Sequence, residues 1–260
     1  MRTADRIPCD AHTGRHIIPV LCFGRSMKRT IPKKVLVTSG PTRAYVDKIR
    51  YFSNTSSGAI GSCIVETLID RGIPVIHIYG DGSETPDRAD SPLLESVGIE
   101  TVDELIAAVK KYAVPENVSA VVHLMAVLDY MPKSKLFEKK KSGDDVWEIR
   151  MVKTPKVISI LRNQLPDAFF AGFKLESGVS DEQLIERAGE LMDKYLLDIV
   201  IGNDLDRIHG DTHEAVFVGK DKSVLDRKKT KQDIAEAVAG YIENSIKRHK
   251  VFKDRHKGTK

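Results

Sequence analysis

From about residue 34 to residue 247, short continuous apolar runs alternate with stretches whose apolar positions recur every three or four residues. Short runs of this kind suit strands covered on both faces, and the three-to-four repeat suits helices with one buried face. Val35, Leu36 and Val37 form the first run, which Ser39, Gly40 and Pro41 end. A helix follows through Ile60, Ile64, Val65, Leu68 and Ile69 and stops at Gly72, and the strand PVIHIY comes directly after it. Beyond a polar loop at 81 to 92, the pattern predicts a short strand near Ile99, a helix from Val102 to Tyr112 and the strand SAVVHLM. Then come a helix through Val157, Ile158 and Leu161, the strand AFFAGF, a helix from Asp181 to Tyr195 and the strand DIVIG. AVFVGKDKSVLD reads as a β-hairpin turning at Lys220 and Asp221, and a helix from Thr230 to Lys247 closes the domain.

This order predicts an α/β fold with a mostly parallel sheet and helices on both faces. The strand ends at Gly40, Asp129, Phe173 and Asn203 then converge on one edge, where open sheets of this kind bind ligands. The connection from the first strand to the first helix is some twenty residues long, against two to six in most such units. It ends in Ser56, Ser57, Gly58 and Gly61, which can cap the helix and admit an anion to its positive end. By itself S-S-G-x-x-G is a weak signal, equally suited to a helix start with small residues for packing. The glycine spacing G-x-G-x-x-G is absent. Residues 133 to 150 are lysine-rich and without apolar periodicity until their end, and read as a mobile basic flap.

Charge refines the boundaries. The chain of 260 residues is 41% hydrophobic with a formal net charge of +4, but each end carries an excess of basic residues and the body between them is acidic. The reading is a basic, solvated and disordered extension over 1 to 33, a domain over 34 to 248 and a basic tail over 249 to 260. Such ends can attract nucleic acid or an anionic membrane, yet solvated tails need no partner. Met27 stands where an alternative start would fit, and residues 1 to 26 lack a long apolar secretory core. No run approaches a membrane span. Cys9, Cys22 and Cys63 have no metal-like spacing and point to a reducing compartment, with Cys63 a small core residue.

Residues 35 to 61, VLVTSGPTRAYVDKIRYFSNTSSGAIG, resemble the opening of the phosphopantothenoylcysteine synthetase family. VHLMAVLDYMP, KKKSGDDVWEIRMVKTPKVISILR, AGFKLE and DIVIGNDL follow in that family's order, so the resemblance covers about 34 to 245. It is nearest to the single-function bacterial form. It implies a Rossmann-like fold and a cytoplasmic homodimer. The implied reaction joins 4′-phosphopantothenate to cysteine through an acyl-nucleotide, with CTP more than ATP as co-substrate and Mg²⁺ held by the triphosphate. No membrane or nucleic-acid partner is implied.

Residue roles carry over on the matching motifs. The resemblance makes Asn54 and Lys139 catalytic: Asn54 stabilises the acyl-nucleotide, and Lys139, on the flap, meets developing phosphate charge. Ser142 stands where the fuller flap motif has lysine, so Lys140 or Lys141 can share that role. Gly40, Ser56, Gly58, Gly61, Phe173 and Asn203 line the nucleotide site together with Asp129, Lys139 and Lys194, although Glu190 stands where Lys194 has a basic partner in the family. Ala126, Asp129 and Asn54 hold phosphopantothenate, and Arg50 reaches its phosphate from the neighbouring subunit. No residue is assigned to metal. The rival readings are a nicotinamide-dependent reductase with Asp81 on the ribose, which lacks the glycine fingerprint and a Tyr-x-x-x-Lys pair, and a non-catalytic nucleotide-binding module.

Overall fold

In a computed structural model, residues 33–210 and 212–257 are described, with side chains through residue 248. The expected extension over 1 to 33 and the outer part of the basic tail thus lie almost wholly outside the described residues. In chain order the elements are β1 (Lys34–Ser39), β2 (Arg43–Tyr45), β3 (Tyr51–Ser53), α1 (Ala59–Asp70), β4 (Val75–Gly80), β5 (Leu94–Ile99), α2 (Val102–Tyr112) and β6 (Val118–His123). They continue with β7 (Tyr130–Pro132), β8 (Met151–Lys153), α3 (Val157–Gln164), β9 (Phe169–Glu176), α4 (Asp181–Tyr195), β10 (Ile199–His209), β11 (Thr212–Gly219), β12 (Val224–Thr230) and α5 (Lys231–Lys257).

An eight-stranded sheet in the order β12-β11-β10-β9-β6-β1-β4-β5 carries the fold. The six strands from β10 to β5 are parallel, and β11 and β12 extend the sheet antiparallel at one edge. The chain runs outward from β1 through β4 to β5, returns to the other side of β1 with β6, and runs outward again. The order therefore reverses between β1 and β6, which places a crevice at their carboxyl ends.

Both faces of the sheet are covered, which is why its central strands read as unbroken apolar runs. In β1, Leu36 packs on the face of α2, α3 and α4 with Ile76, Val121, Phe170 and Val200. Val35 and Val37 turn to the other face, against α1 and α5, with Ile64, Leu68, Phe217, Ile234 and Val238. Phe170 and Phe217 are fully buried, one on each face; truncating either to alanine would cost roughly 3–5 kcal/mol. Helices α2 and α4 begin where expected because each has a complete capping box, Thr101 with Glu104 and Ser180 with Gln183. Gly58, in the left-handed region at φ 76°, precedes α1, and no side chain makes a cap bond there. The expected capping by Ser56 and Ser57 reduces to a 3.3 Å bond from the Ala59 N–H to the Ser57 hydroxyl.

Four features differ from the sequence reading, the first being the short antiparallel ribbon β7–β8 on either side of the flap. The long connection after β1 contains the small antiparallel ribbon β2–β3. Strand β10 runs on to His209 and pairs with β11 beyond Asn203. Helix α5 continues ten residues past Lys247, because no Gly or Pro interrupts the chain before Gly258.

Candidate active site

The first connection closes over the carboxyl ends of β1 and β6 through a set of backbone bonds. Ala126 N–H donates to Gly40 O at 2.8 Å, and Leu128 N–H donates to the Thr42 hydroxyl at 3.1 Å. The Asn54 amide donates to the carbonyl oxygens of Ala126 and Val127, 3.3 Å each. Two segments that the sequence reading treated separately, SNTSSG and MAVLDY, thus become one wall of the crevice.

Glycines make the opposite wall close-fitting. Gly40 has φ 78°, and a Cβ there would overlap the Ser83 hydroxyl; Gly58 also faces Ser83, and its Cβ would lie 3.5 Å from Gly40 Cα. Gly61 lies against Ser39 so closely that any Cβ would collide with it. The absence of three side chains therefore brings the amino end of α1, the positive end of its dipole, against the end of β1. The Ser83 hydroxyl is buried there without a hydrogen-bond partner among the described residues. Sequence reasoning missed Ser83, which sits in the polar loop after β4 with no motif around it.

Beneath this wall, two histidines support the strand ends. His77 Nε2 is 2.8 Å from the Ser39 hydroxyl and His123 Nδ1 is 2.7 Å from the Thr38 hydroxyl. Burial pushes both imidazoles down to a pKa of about 4, so both are neutral near pH 7. Cys63, partly buried against the α1/α5 core, has its thiol pushed up by burial, as befits a packing residue rather than a nucleophile.

Phosphopantothenate was expected at Asp129. That residue is exposed, with its carboxylate paired to the Lys156 ammonium and its carbonyl accepting from Thr154 N–H at 3.0 Å. The Thr154 hydroxyl donates to Leu128 O, so the K-T-P stretch ties the end of β8 to the connection between β6 and β7. On the other side of the crevice, Phe173 is half-buried against the α1/α5 core, and the Asn203 amide donates to Glu214 O at 3.0 Å, joining β10 to β11.

Lys194 is a correction. It lies in the last turn of α4, over the Tyr195 ring. The start of this helix is next to Asp204, which accepts from Val179 N–H, whereas just past its end Asp198 N–H donates to Phe170 O at the start of β9. A helix joining two parallel strands runs back across the sheet, and fifteen residues at 1.5 Å rise carry Lys194 about 20 Å from the crevice edge. The structure does not bring it to the other candidate nucleotide residues.

Ribbon β7–β8 forms the base of the flap, which rests on residues 45 to 50. Leu136 N–H donates to Val46 O at 2.8 Å, and the Lys140 ammonium pairs with Asp144. Lys139 and Lys141 are exposed. Arg50 is bound within its own chain, to Asp47 Oδ2 at 2.8 Å, to Lys140 O at 3.5 Å and over the Trp147 ring at 5.2 Å. Asp81, the ribose candidate of the reductase reading, is engaged by Arg43, which also holds Glu100. Its carboxylate is committed to an ion pair.

Residues 31–246 match the family described as the DNA/pantothenate metabolism flavoprotein C-terminal domain. Among curated relatives, a coenzyme A biosynthesis bifunctional protein CoaBC from Thermococcus kodakarensis is 34% identical over 214 residues, covering 82% of this chain and 52% of the relative. The chain thus spans about half the length of the curated relatives it matches. Among solved structures, the DNA/pantothenate metabolism flavoprotein from Streptococcus pneumoniae superposes with a TM-score of 0.75 at 30% identity, over 82% of this chain and 99% of that one. A Cab2 variant in complex with phosphopantothenate-cysteine has the same fold, with a TM-score of 0.66 at 21% identity, over 89% of this chain and 90% of that one. With the match running from β1 into α5, the chain belongs to the family of the DNA/pantothenate metabolism flavoprotein C-terminal domain.

Proposed function

We propose that this protein is a ligase that joins 4′-phosphopantothenate to L-cysteine, giving 4′-phosphopantothenoylcysteine, a step of coenzyme A biosynthesis. The observation that carries this reading is the bonding of Asn54 to the backbone of Ala126 and Val127, which joins two family motifs across the reversal of strand order. The relatives' names and the ligand of the Cab2 variant support the same assignment.

In the first step the substrate carboxylate attacks the α-phosphorus of the nucleotide, forming an acyl-nucleotide and releasing pyrophosphate. In the second the cysteine amino group attacks the activated carbonyl; the amide forms, the nucleoside monophosphate leaves, and the amine proton passes to solvent. Neither step requires an enzymic nucleophile, so positioning, charge neutralisation and exclusion of water carry the rate. Gly40, Ser56, Gly58 and Gly61 cradle the nucleotide phosphates at the amino end of α1, and Phe173 and Asn203 extend that site. Ala126 and Asp129 hold phosphopantothenate. On substrate binding the Asn54 amide gives up one of its two bonds to the Ala126 and Val127 carbonyls and donates that N–H to the oxygen of the activated carbonyl. Lys139 meets the phosphate charge when the flap closes, and Arg50 reaches the substrate phosphate across a homodimer.

CTP is the nucleotide we assign in preference to ATP, on the bacterial character of the K-T-P and G-F-K-L stretches. Among the described residues no group of three or more His, Cys, Asp or Glu is placed to hold a metal ion, so Mg²⁺ is assigned to the triphosphate oxygens. No helix among the described residues is long and apolar enough to cross a membrane, and a cytoplasmic location accords with the proposed substrates. The test is pyrophosphate release from CTP and from ATP, with and without phosphopantothenate and cysteine. Release that requires phosphopantothenate, with product only when cysteine is present, is the expected result. No release from either nucleotide would overturn the reading in favour of a non-catalytic module.

A further inference from the structure

Asp47 lies in an exposed connection between β2 and β3, yet its carboxylate has no solvent-accessible surface. Its two oxygens do different work. Oδ1 accepts from the backbone N–H groups of Ile49 at 2.9 Å and Arg50 at 2.8 Å, which shapes the turn. Oδ2 accepts from Arg50 Nη1 at 2.8 Å and, across to the flap, from the Lys140 N–H at 3.0 Å. Burial works to raise its pKa, but the N–H groups of Ile49, Lys140 and Arg50 and the Arg50 charge outweigh it and hold the carboxyl below its ordinary value. Four further contacts cross between the same two segments: Leu136 N–H to Val46 O, the Lys135 ammonium over the Tyr45 ring at 4.4 Å, and Arg50 both with the Trp147 ring and with Lys140 O. The Asp47 bond to Lys140 is distinctive because the same oxygen also fixes the guanidinium.

We propose that Asp47 is a positioning residue that latches the basic flap to Arg50, so that the arginine and the lysine-rich flap are held as one unit. The naming of Arg50 and the flap as phosphate-binding parts rests on the function proposed above; the latch itself rests on the bonds of Asp47. Through it, a phosphate contacted by Arg50 and a phosphate covered by the flap report to one carboxylate. Flap position is then coupled to occupancy of the substrate site that Arg50 reaches in the neighbouring subunit.

The two oxygens can be separated by substitution. Asp47→Asn keeps one acceptor for the turn and puts an amide N–H₂ where Oδ2 receives the Lys140 N–H and the guanidinium. Lys140→Pro removes the flap's donor from the other side, at a position without regular structure. Trp147 is the chain's single tryptophan and stacks on Arg50, so its fluorescence reads the latch directly. In the ligand-free, folded variants, Trp147 emission is expected to move to the red and to be more readily quenched by acrylamide. The Leu136 amide should exchange hydrogen about 10-fold faster. Phosphopantothenate KM should rise more than kcat falls. Unchanged Trp147 emission, quenching and Leu136 exchange in both variants would overturn the proposal. These spectroscopic and exchange readouts decide the latch even if wild-type protein releases no pyrophosphate, an outcome that would count against the proposed function alone.

Discussion

The Asn54 amide nitrogen lies 3.3 Å from the carbonyl oxygen of Ala126 and donates to it across the point where the strand order reverses. A carboxylate at this position cannot donate, and it would face two carbonyl oxygens. Asn54→Asp is therefore expected to impair the second half-reaction more than the first, so that the acyl-nucleotide accumulates. Overall turnover should fall roughly 10²-fold. Mass spectrometry of a quenched reaction containing CTP and phosphopantothenate, followed by a cysteine chase, measures both steps. Conversion of the intermediate at the wild-type rate by the folded variant would remove Asn54 from the mechanism.

The flap lysines are not equivalent. The Lys140 ammonium is paired with Asp144, whereas Lys139 and Lys141 are exposed. Lys139→Ala is expected to slow acyl-nucleotide formation by roughly 10²-fold, and Lys140→Ala, which leaves the backbone N–H in place, by much less. Single-turnover pyrophosphate release compares the two. A larger loss in Lys140→Ala would transfer the role to that residue.

Close approach of α1 to β1 depends on Gly61. A Cβ there collides with the Ser39 side chain, so Gly61→Ala should destabilise the fold by about 1–3 kcal/mol. Ser39→Gly in the same chain should recover part of the loss, because the clash then has no partner. A double-mutant cycle from urea unfolding gives the coupling. Strict additivity of the two substitutions would mean that the helix yields elsewhere.

His77 links stability to acid. Its folded pKa is about 4 against an ordinary 6.5, so between those values the unfolded chain binds a proton that the native state does not. Stability from this residue is complete above about pH 6.5, declines as pH falls and levels off below about 4. The full loss is on the order of 3 kcal/mol. His77→Gln, which can still bond to Ser39, should lower stability at pH 7 yet flatten the decline towards pH 4.5. Urea unfolding at the two pH values is the measurement, and an unaltered slope would assign the acid sensitivity to other groups.

The sequence by itself determined the succession of strands and helices, because each element is written in local signals: apolar runs for β1, β4, β6, β9 and β10, a three-to-four repeat for α1 to α5, and a glycine stop after α1. The approximate bounds of α2 and α4 were legible because the three-to-four repeat is local. The ordered motifs also identified the family. Tertiary structure decided how distant segments meet. Ribbon β2–β3 consists of two three-residue strands, too short for a period to register. Asp47 reads as an ordinary turn residue until the flap, some ninety positions on, covers it. Ser83 meets Gly40 and Gly58 only once the chain has folded, and Asp81 is claimed by Arg43 from another strand. Lys194 was misplaced although the element order held the clue, since a helix between parallel strands ends on the edge opposite the ligand crevice. Periodicity fixes what each segment buries, whereas a site is made by loops whose conformations depend on contacts between residues far apart in the chain.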